Sequence, residues 1–282
     1  MGCDSVGIVG SGIMGSGIAE TVIESGYPVI LLSRTPESAE AMVNSIKGSF
    51  ARKIEKRKKS TSQADEDLSR LICTNDIADL ANCDLLIETV VEDIDVKMRV
   101  MKGLDEACKP SAIIATNTST FPVIELAAAT SRPDKVCGIH FFNPAQVMKL
   151  VEIVETLTVS QDTIQAATAF ALSCNKEPVV VKDQAGFIVN ALLFPYLNNA
   201  VKLLERGVAS KENIDIAMKG GCGFPMGPFA LLDLVGLDTA LSILNSLYDE
   251  FKDPNFAPAP LLKRMVAAKL HGRKTKAGFY NY

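Results

Sequence analysis

The sequence is poor in the residue types that mark several classes of protein. Two histidines among 282 residues cannot build a histidine-rich metal site, and we expect no metal. The seven cysteines are an odd number and include no C-x-x-C pair, which favours buried thiols in a reducing compartment over a disulfide framework. A net charge of −4 lacks the basic surplus of a general nucleic-acid binder, so we expect no nucleic-acid partner.

Targeting and membrane signals are also missing. The first residues lack the basic and apolar segments of a secretory signal. The uncharged window 184–201 contains three asparagines and a proline, so it is interpreted as a buried core helix rather than a membrane span. We therefore expect a cytoplasmic protein with no membrane contact.

Short apolar runs alternate with amphipathic stretches over the first two thirds of the chain. Such alternation predicts a mainly parallel sheet covered by helices on both faces. The predicted strands are Val6–Val9, Val29–Leu32, Leu85–Glu88, Ala112–Thr116, Val136–His140, Leu150–Val154 and Val179–Lys182. The first two helices are predicted at Ile13–Ser25 and Pro36–Lys58.

After residue 186 the patterns are helical only. These helices are predicted at Phe187–Arg206, Lys211–Met218, Pro228–Phe251 and Leu261–Leu270. We expect two domains, residues 1–185 and residues 186–282, the second all-α. His271 is expected at the surface, and all seven cysteines are expected to act as small apolar side chains.

A glycine-rich turn follows the first predicted strand. Its residues match G-x-G-x-x-G and open a helix, which is the context of a Rossmann-type dinucleotide-binding domain. In that context the glycines allow a tight turn and a close approach to a pyrophosphate at the positive end of the helix. The motif consists of Gly10, Ser11, Gly12, Ile13, Met14 and Gly15.

The end of the second predicted strand carries no carboxylate. NAD-binding domains usually place an acidic residue there for the ribose 2′-hydroxyl. This chain has Ser33, Arg34 and Thr35 instead, and a guanidinium is suited to pair with a 2′-phosphate. We predict a preference for NADP(H); the alternatives are NAD(H), or a solvated loop that tolerates either cofactor.

Three polar residues stand at or near the ends of apolar strands, where an open α/β sheet places its ligand crevice. His140 ends one strand, Glu152 interrupts another, and Ser119 follows a third. A carboxylate paired with a histidine suits acid–base chemistry. The alternative is a satisfied core histidine beside an unrelated glutamate. Asn190, within the uncharged helix, needs a polar partner or faces a cleft.

Several ordered segments together resemble one family. They are Gly10–Gly15, Glu88–Glu92, Asn117–Ser119, His140–Pro144, Gly186–Asn190, Met226–Pro228 and Gly278–Tyr280. This set resembles the 3-hydroxyacyl-CoA dehydrogenases, most of all the stand-alone bacterial 3-hydroxybutyryl-CoA dehydrogenases. The resemblance implies a Rossmann domain, a helical domain that forms a homodimer, and an active site in the cleft between the domains.

The resemblance also implies the activity and the site. The substrates would be acetoacetyl-CoA and (S)-3-hydroxybutyryl-CoA, with His140 as general acid–base, Glu152 as its partner, and Ser119 and Asn190 on the substrate oxygen. The chain departs from the usual pattern at Ser33, where NAD-using members carry aspartate. Further implied cofactor contacts are Glu92, Lys97, Ser119, Asn143 and Arg273.

A basic run, residues 52–59, lies at the C-terminal end of the second predicted helix. Cationic side chains at helical spacing could meet the phosphates of coenzyme A, although such a run is often only a solvated helix end. By resemblance, Ser49 and Lys56 fall at coenzyme A contacts. Two other functions stay open: a dehydrogenase of a free hydroxy acid on the same fold, and a non-catalytic nucleotide-binding sensor.

Overall fold

The computed structural model describes residues 3–282, which form two compact units. One unit ends at Asp183 and the other is Gln184–Tyr282. The strands, all in the first unit, are β1 Val6–Val9, β2 Val29–Leu32, β3 Leu71–Thr74, β4 Leu85–Glu88, β5 Ile113–Thr116, β6 Val136–Phe141, β7 Leu150–Glu155 and β8 Glu177–Lys182. The helices are α1 Ile13–Glu24, α2 Pro36–Glu55, α3 Thr61–Ser69, α4 Ile94–Ala107, α5 Val123–Ala128, α6 Gln161–Ser173, α7 Val189–Glu205, α8 Lys211–Cys222, α9 Pro228–Val235, α10 Leu237–Phe251 and α11 Pro260–Ala267.

The strands form one sheet in the order β3-β2-β1-β4-β5-β6-β7-β8. The first six are parallel and follow the strand order of dinucleotide-binding domains. β7 runs antiparallel to β6, and β8 is parallel to β7. The order reverses between β1 and β4, and the crevice at such a switch point is where this architecture binds ligands.

Alternate side chains of each central strand enter opposite cores. Ile8 and Ile87 pack with α1, α2 and α6 on one face, while Leu86 and Ile114 pack with α4 and α5 on the other. Burial of each such side chain contributes about 1.5–3 kcal/mol. The predicted α/β domain with a mainly parallel sheet is thereby confirmed, and so is the all-α character of the chain after it.

The second unit is built from α7 to α11 around its own core, which includes Phe194, Phe229 and Leu244. Two buried carboxylates tie its segments together. Asp215 accepts hydrogen bonds from the first backbone amides of α9, and Asp233 accepts them from the amides of residues 279 and 280 near the chain end. These bonds satisfy backbone donors that helix starts and turns otherwise leave unpaired.

Two predicted helices differ from the observed ones. α2 ends at Glu55 rather than residue 58, because Arg57 adopts a left-handed conformation with φ 54°. The single helix predicted at Pro228–Phe251 is wrong: Gly236, with φ 103°, separates α9 from α10. Glycine takes such angles at little cost, so it ends one helix and redirects the chain.

Three smaller features also depart from the sequence predictions. The short edge strand β3 was not among the predicted strands. Cys222 is exposed, unlike the buried thiols of residues 83, 108, 137 and 174. His271 is half-buried, with Nε2 lying 3.2 Å from the carbonyl oxygen of Val266. Within residues 3–282 no single helix has the length and apolarity to cross a membrane, although α9 and α10, bent by 96°, pass that test as a pair.

Candidate active site

The glycine turn joins β1 to α1 at the switch point of the sheet. Gly10 has φ 116°, and a Cβ atom there would lie 2.7 Å from the carbonyl oxygen of Thr89. A Cβ at Gly15 would collide with the carbonyl of Gly10. At Gly12, by contrast, a Cβ would meet nothing within 4 Å. The turn is therefore closed on the protein side and open in front of the α1 N-terminus, as a bound pyrophosphate requires.

The loop after β2 has one buried residue and one exposed cation. Ser33 is 4% exposed, and its hydroxyl donates to the carbonyl of Thr35 over 2.9 Å. Thr35 caps α2 by accepting from the backbone N–H of Ser38 over 3.2 Å. Arg34 between them is exposed. The guanidinium is thus available to a ligand, whereas both neighbouring hydroxyls already have intramolecular partners.

His140, Glu152 and Ser119 lie together, as the sequence predicted. Nδ1 of His140 is 2.8 Å from Oε2 of Glu152, and Nε2 is 3.1 Å from Oγ of Ser119. The antiparallel register of β6 and β7 sets His140 directly opposite Glu152. Both side chains are almost fully buried. A buried carboxylate beside Nδ1 favours the tautomer that leaves Nε2 to accept a proton.

Glu92 and Lys97 join this group from the loop after β4 and from α4. Nζ of Lys97 lies 2.8 Å from Oε2 of Glu92, and Oε1 of Glu92 accepts the backbone N–H of Ser119 over 2.7 Å. Burial tends to raise the pKa of Glu92. The charge of Lys97 and the hydrogen bonds from Lys97, Thr118 and Ser119 outweigh it and hold that pKa below its ordinary value. Glu92 therefore stays ionised at neutral pH.

Glu88 was missed as a site residue. It ends β4, is fully buried, and lies 2.9 and 3.1 Å through its two oxygens from Nζ of Lys97. The hydroxyl of Thr116, opposite it on β5, donates to Oε2 over 2.7 Å. The signal was present in the sequence: an ionisable residue ends an apolar run, as His140 ends the predicted strand Val136–His140.

A cavity of about 480 Å³ lies between the glycine turn, α2 and the loop after β6. Ser49 and Arg52 of α2 line one wall, and Asn143 lines another. Ser49 is buried and donates its hydroxyl to Glu20 over 2.6 Å. Lys56 lies one helical turn beyond Arg52 and is exposed. The structure thus groups Ser49 and Asn143 beside the glycine turn.

The basic run divides into paired and exposed cations. Lys53 bridges Glu20 and Glu24, and Lys59 bridges Glu24 and Asp67. These two lysines hold α1, α2 and α3 together. The remaining cations of the run are exposed, namely Arg52, Lys56, Arg57 and Lys58. Two of the six cations in the run are therefore committed to the protein itself, and four remain exposed.

The remaining predicted residues belong to the second unit. Asn190 is buried in the first turn of α7. Arg273 is exposed in a short 3-10 helix, with its guanidinium 5.1 Å from the ring centre of Tyr282. Across residues 3–282, no three histidine, cysteine or acidic side chains cluster as metal ligands would.

Comparison with known proteins covers both units. Residues 5–184 match the family model of the 3-hydroxyacyl-CoA dehydrogenase NAD binding domain, and residues 186–282 match that of the C-terminal domain. A 3-hydroxybutyryl-CoA dehydrogenase of Clostridioides difficile is 46% identical over 275 residues, 98% of each chain.

Two solved structures agree with that result over the whole chain. FadB2 of M. tuberculosis has a TM-score of 0.98 at 42% identity, with 100% of both chains covered. The (S)-3-hydroxybutyryl-CoA dehydrogenase PaaH1 of Ralstonia eutropha has a TM-score of 0.97 at 40% identity, covering 100% of this chain and 99% of the other. The chain therefore belongs to the 3-hydroxyacyl-CoA dehydrogenase family, and its first unit is a nicotinamide-nucleotide-binding domain.

Proposed function

We propose that this protein interconverts acetoacetyl-CoA and (S)-3-hydroxybutyryl-CoA by hydride transfer with a nicotinamide cofactor. The observation that carries the proposal is the line of contacts from Ser119 through His140 to Glu152, at the ligand-binding edge of the sheet. Family membership and the relatives named as 3-hydroxybutyryl-CoA dehydrogenases support the substrate class.

His140 is the proposed general acid–base. In the oxidation direction, Nε2 takes the proton of the substrate's 3-hydroxyl. Glu152 stabilises the resulting imidazolium through its contact with Nδ1. In reduction, the protonated ring returns that proton to the oxygen at C3. Glu152 is buried and faces His140 in strand register, so the ring stays oriented in both charge states.

Ser119 is the proposed hydrogen-bond donor to the substrate oxygen. Its hydroxyl meets Nε2 of His140, so one oxygen placed between them contacts both groups. A fixed donor at that position stabilises negative charge that develops on the oxygen in reduction. The amide of Asn190 remains the second donor predicted from the sequence.

The glycine turn fits the cofactor because a pyrophosphate can approach Gly12 without meeting a side chain. When bound, a nicotinamide would give or accept the hydride. Glu92, Lys97 and Asn143 of the first unit are the residues proposed to lie beside it, and the contact of Arg273 stays a prediction from the sequence. The protein's own contribution is to hold the pyrophosphate of the dinucleotide and to keep His140 buried.

NADP(H) is the proposed cofactor, with NAD(H) as the alternative. The residues Ser33–Thr35 carry no negative charge to repel a 2′-phosphate, and the exposed guanidinium of Arg34 can pair with one. The measurement is kcat/KM for NADPH and for NADH with acetoacetyl-CoA. A clear preference for NADH would overturn this part of the proposal.

Coenzyme A is proposed to lie along α2, with its phosphates toward Lys56 and its chain toward Ser49. The cavity beside Ser49 and the exposed cations after it support this placement. The alternative, a dehydrogenase of free hydroxy acids, has no use for cations there. The other alternative, a nucleotide-binding sensor, has no use for the Ser119–His140–Glu152 contacts.

The test compares acetoacetyl-CoA with free acetoacetate at equal concentration, following the nicotinamide absorbance. Turnover of the thioester well above that of the free acid supports the proposal. Faster turnover of the free acid would favour the first alternative, and cofactor binding without any turnover would favour the second. The predicted homodimer is checked by the mass of the protein in solution.

A further inference from the structure

A chain of ion-paired side chains leads from the buried sheet core to the reacting side chains. It begins at Glu88, which is fully buried at the end of β4. Lys97 lies against it with 1% of its side chain exposed and also contacts Glu92, which is 36% exposed. One lysine thus bridges a wholly buried carboxylate and a carboxylate at the site edge.

Glu88 has no hydrogen-bonding capacity left for a ligand. Oε1 accepts from the backbone N–H of Val90 over 2.6 Å and contacts Lys97, while Oε2 accepts from Thr116 over 2.7 Å and also contacts Lys97. Its position is fixed from β4, β5 and α4 together. A buried carboxyl group held in this way orients its partners.

Glu92 transmits that orientation to Ser119. Oε2 is held by Lys97, and Oε1 accepts from the hydroxyl of Thr118 and from the backbone N–H of Ser119, both at 2.7 Å. The hydroxyl of the same serine lies 3.1 Å from Nε2 of His140. Every link in this chain is a direct contact within the first unit.

We infer that Glu88 is a positioning residue for the proposed reaction, acting through Lys97 and Glu92 to set the Ser119 hydroxyl against His140. The inference rests on the proposed function, because that function names the reaction. Its geometry rests only on the contacts described above. Glu88 touches neither substrate nor cofactor. Its removal leaves Lys97 with a single carboxylate partner, so Glu92 and the loop at Ser119 lose their fixed position.

The kinetic test is a double-mutant cycle of Glu88→Gln with Ser119→Ala. Glu88→Gln alone is expected to lower kcat roughly tenfold to a hundredfold, because misplacement near a reacting centre has an effect of that size. In the Ser119→Ala background the same change is expected to have little further effect, since its target is gone. Equal losses in both backgrounds would overturn the inference.

The matched control is Asp105→Asn. It breaks a partly buried ion pair between Asp105 of α4 and Arg132, which has no contact with the chain that leads to Ser119. This variant is expected to keep kcat. Thr116→Val is the milder companion to Glu88→Gln should that protein fail to fold. It removes the hydroxyl that donates to Oε2 and that accepts the backbone N–H of Thr118 over 3.2 Å, and it is expected to show the same non-additivity.

A second readout is independent of turnover. The chain has two histidines, so ring nitrogen-15 signals of labelled histidine separate His140 from His271. Glu88→Gln, or Thr116→Val in its place, is expected to shift the His140 signals, leave His271 unchanged, and add nothing once Ser119→Ala is present. An equal shift of the His140 signals in both backgrounds, or no shift, overturns the inference. Lack of turnover of acetoacetyl-CoA by the wild-type protein would count only against the proposed function.

Discussion

His140 and Glu152 face each other across the antiparallel pair β6–β7, with Nδ1 and Oε2 2.8 Å apart. Strand register, rather than a flexible loop, sets this distance. An oriented imidazole results, with its second nitrogen directed at Ser119. The proposed proton transfer depends on this contact, so changes at Glu152 and His140 should change the rate of the reaction.

Glu152→Gln is expected to lower kcat about 100-fold with a smaller change in KM. The amide keeps the shape of the side chain but cannot stabilise the imidazolium, so the effect falls on proton transfer. Glu155→Gln, at the end of the same strand, removes a carboxylate whose partner Lys182 is on the surface, and is expected to leave kcat unchanged. Equal effects of the two changes would contradict the assigned role.

Arg34→Ala is expected to raise KM for NADPH roughly tenfold and to change KM for NADH little. The reason is that only the 2′-phosphate of NADPH forms a charge-assisted hydrogen bond with the guanidinium. Arg34 is exposed, so the fold should not change. Steady-state kinetics with both cofactors provides the measurement, and a matching rise for NADH would argue for adenine stacking instead.

Lys56→Ala is expected to raise KM for acetoacetyl-CoA about two- to fivefold, the size of one solvent-exposed charge pair. Lys47→Ala is the matched control, because nine residues at 100° each set Lys47 on the opposite side of α2. Should both variants keep the wild-type KM, coenzyme A does not lie along this helix face.

The lowered pKa of Glu92 predicts how the free energy of unfolding depends on pH. Its folded-state pKa lies below its ordinary value of 4.5, so its contribution to the free energy of unfolding is complete above pH 4.5 and is lost as the pH falls through the lower folded value. Glu92→Gln removes this contribution. Urea unfolding should therefore separate wild type from variant more at neutral pH than well below pH 4.5, whereas a constant difference would mean the pKa is not lowered.

The parts of the fold that the sequence predicted are those with strong apolar runs. The central strands and His140 fall in this class, because full burial on both faces demands continuous apolar residues. β3 was missed although Leu71–Thr74 begins with three apolar residues. It is a half-exposed edge strand that starts two residues after α3 ends, without a glycine or proline to mark a boundary. α3 had a signal that went unused: Ser60 and Gln63 form a capping box at its start.

The candidate site likewise contains residues that the sequence could predict and contacts that it could not. His140, Glu152 and Ser119 could be found because ionisable or hydroxyl residues stand out beside apolar strands. The pairing of Lys53 and Lys59 with acidic side chains of α1 and α3 could not, since it depends on how these helices pack against one another. The same holds for the contact of Glu88 with Lys97, which depends on how α4 packs on β4.

The most direct test of the account is reduction of acetoacetyl-CoA by wild-type protein, His140→Gln and His271→Gln, followed by loss of nicotinamide absorbance. We predict turnover by wild type and by His271→Gln, and a fall in kcat of about 100-fold or more for His140→Gln, the size of a lost general acid. Wild-type turnover that survives His140→Gln would contradict the central claim.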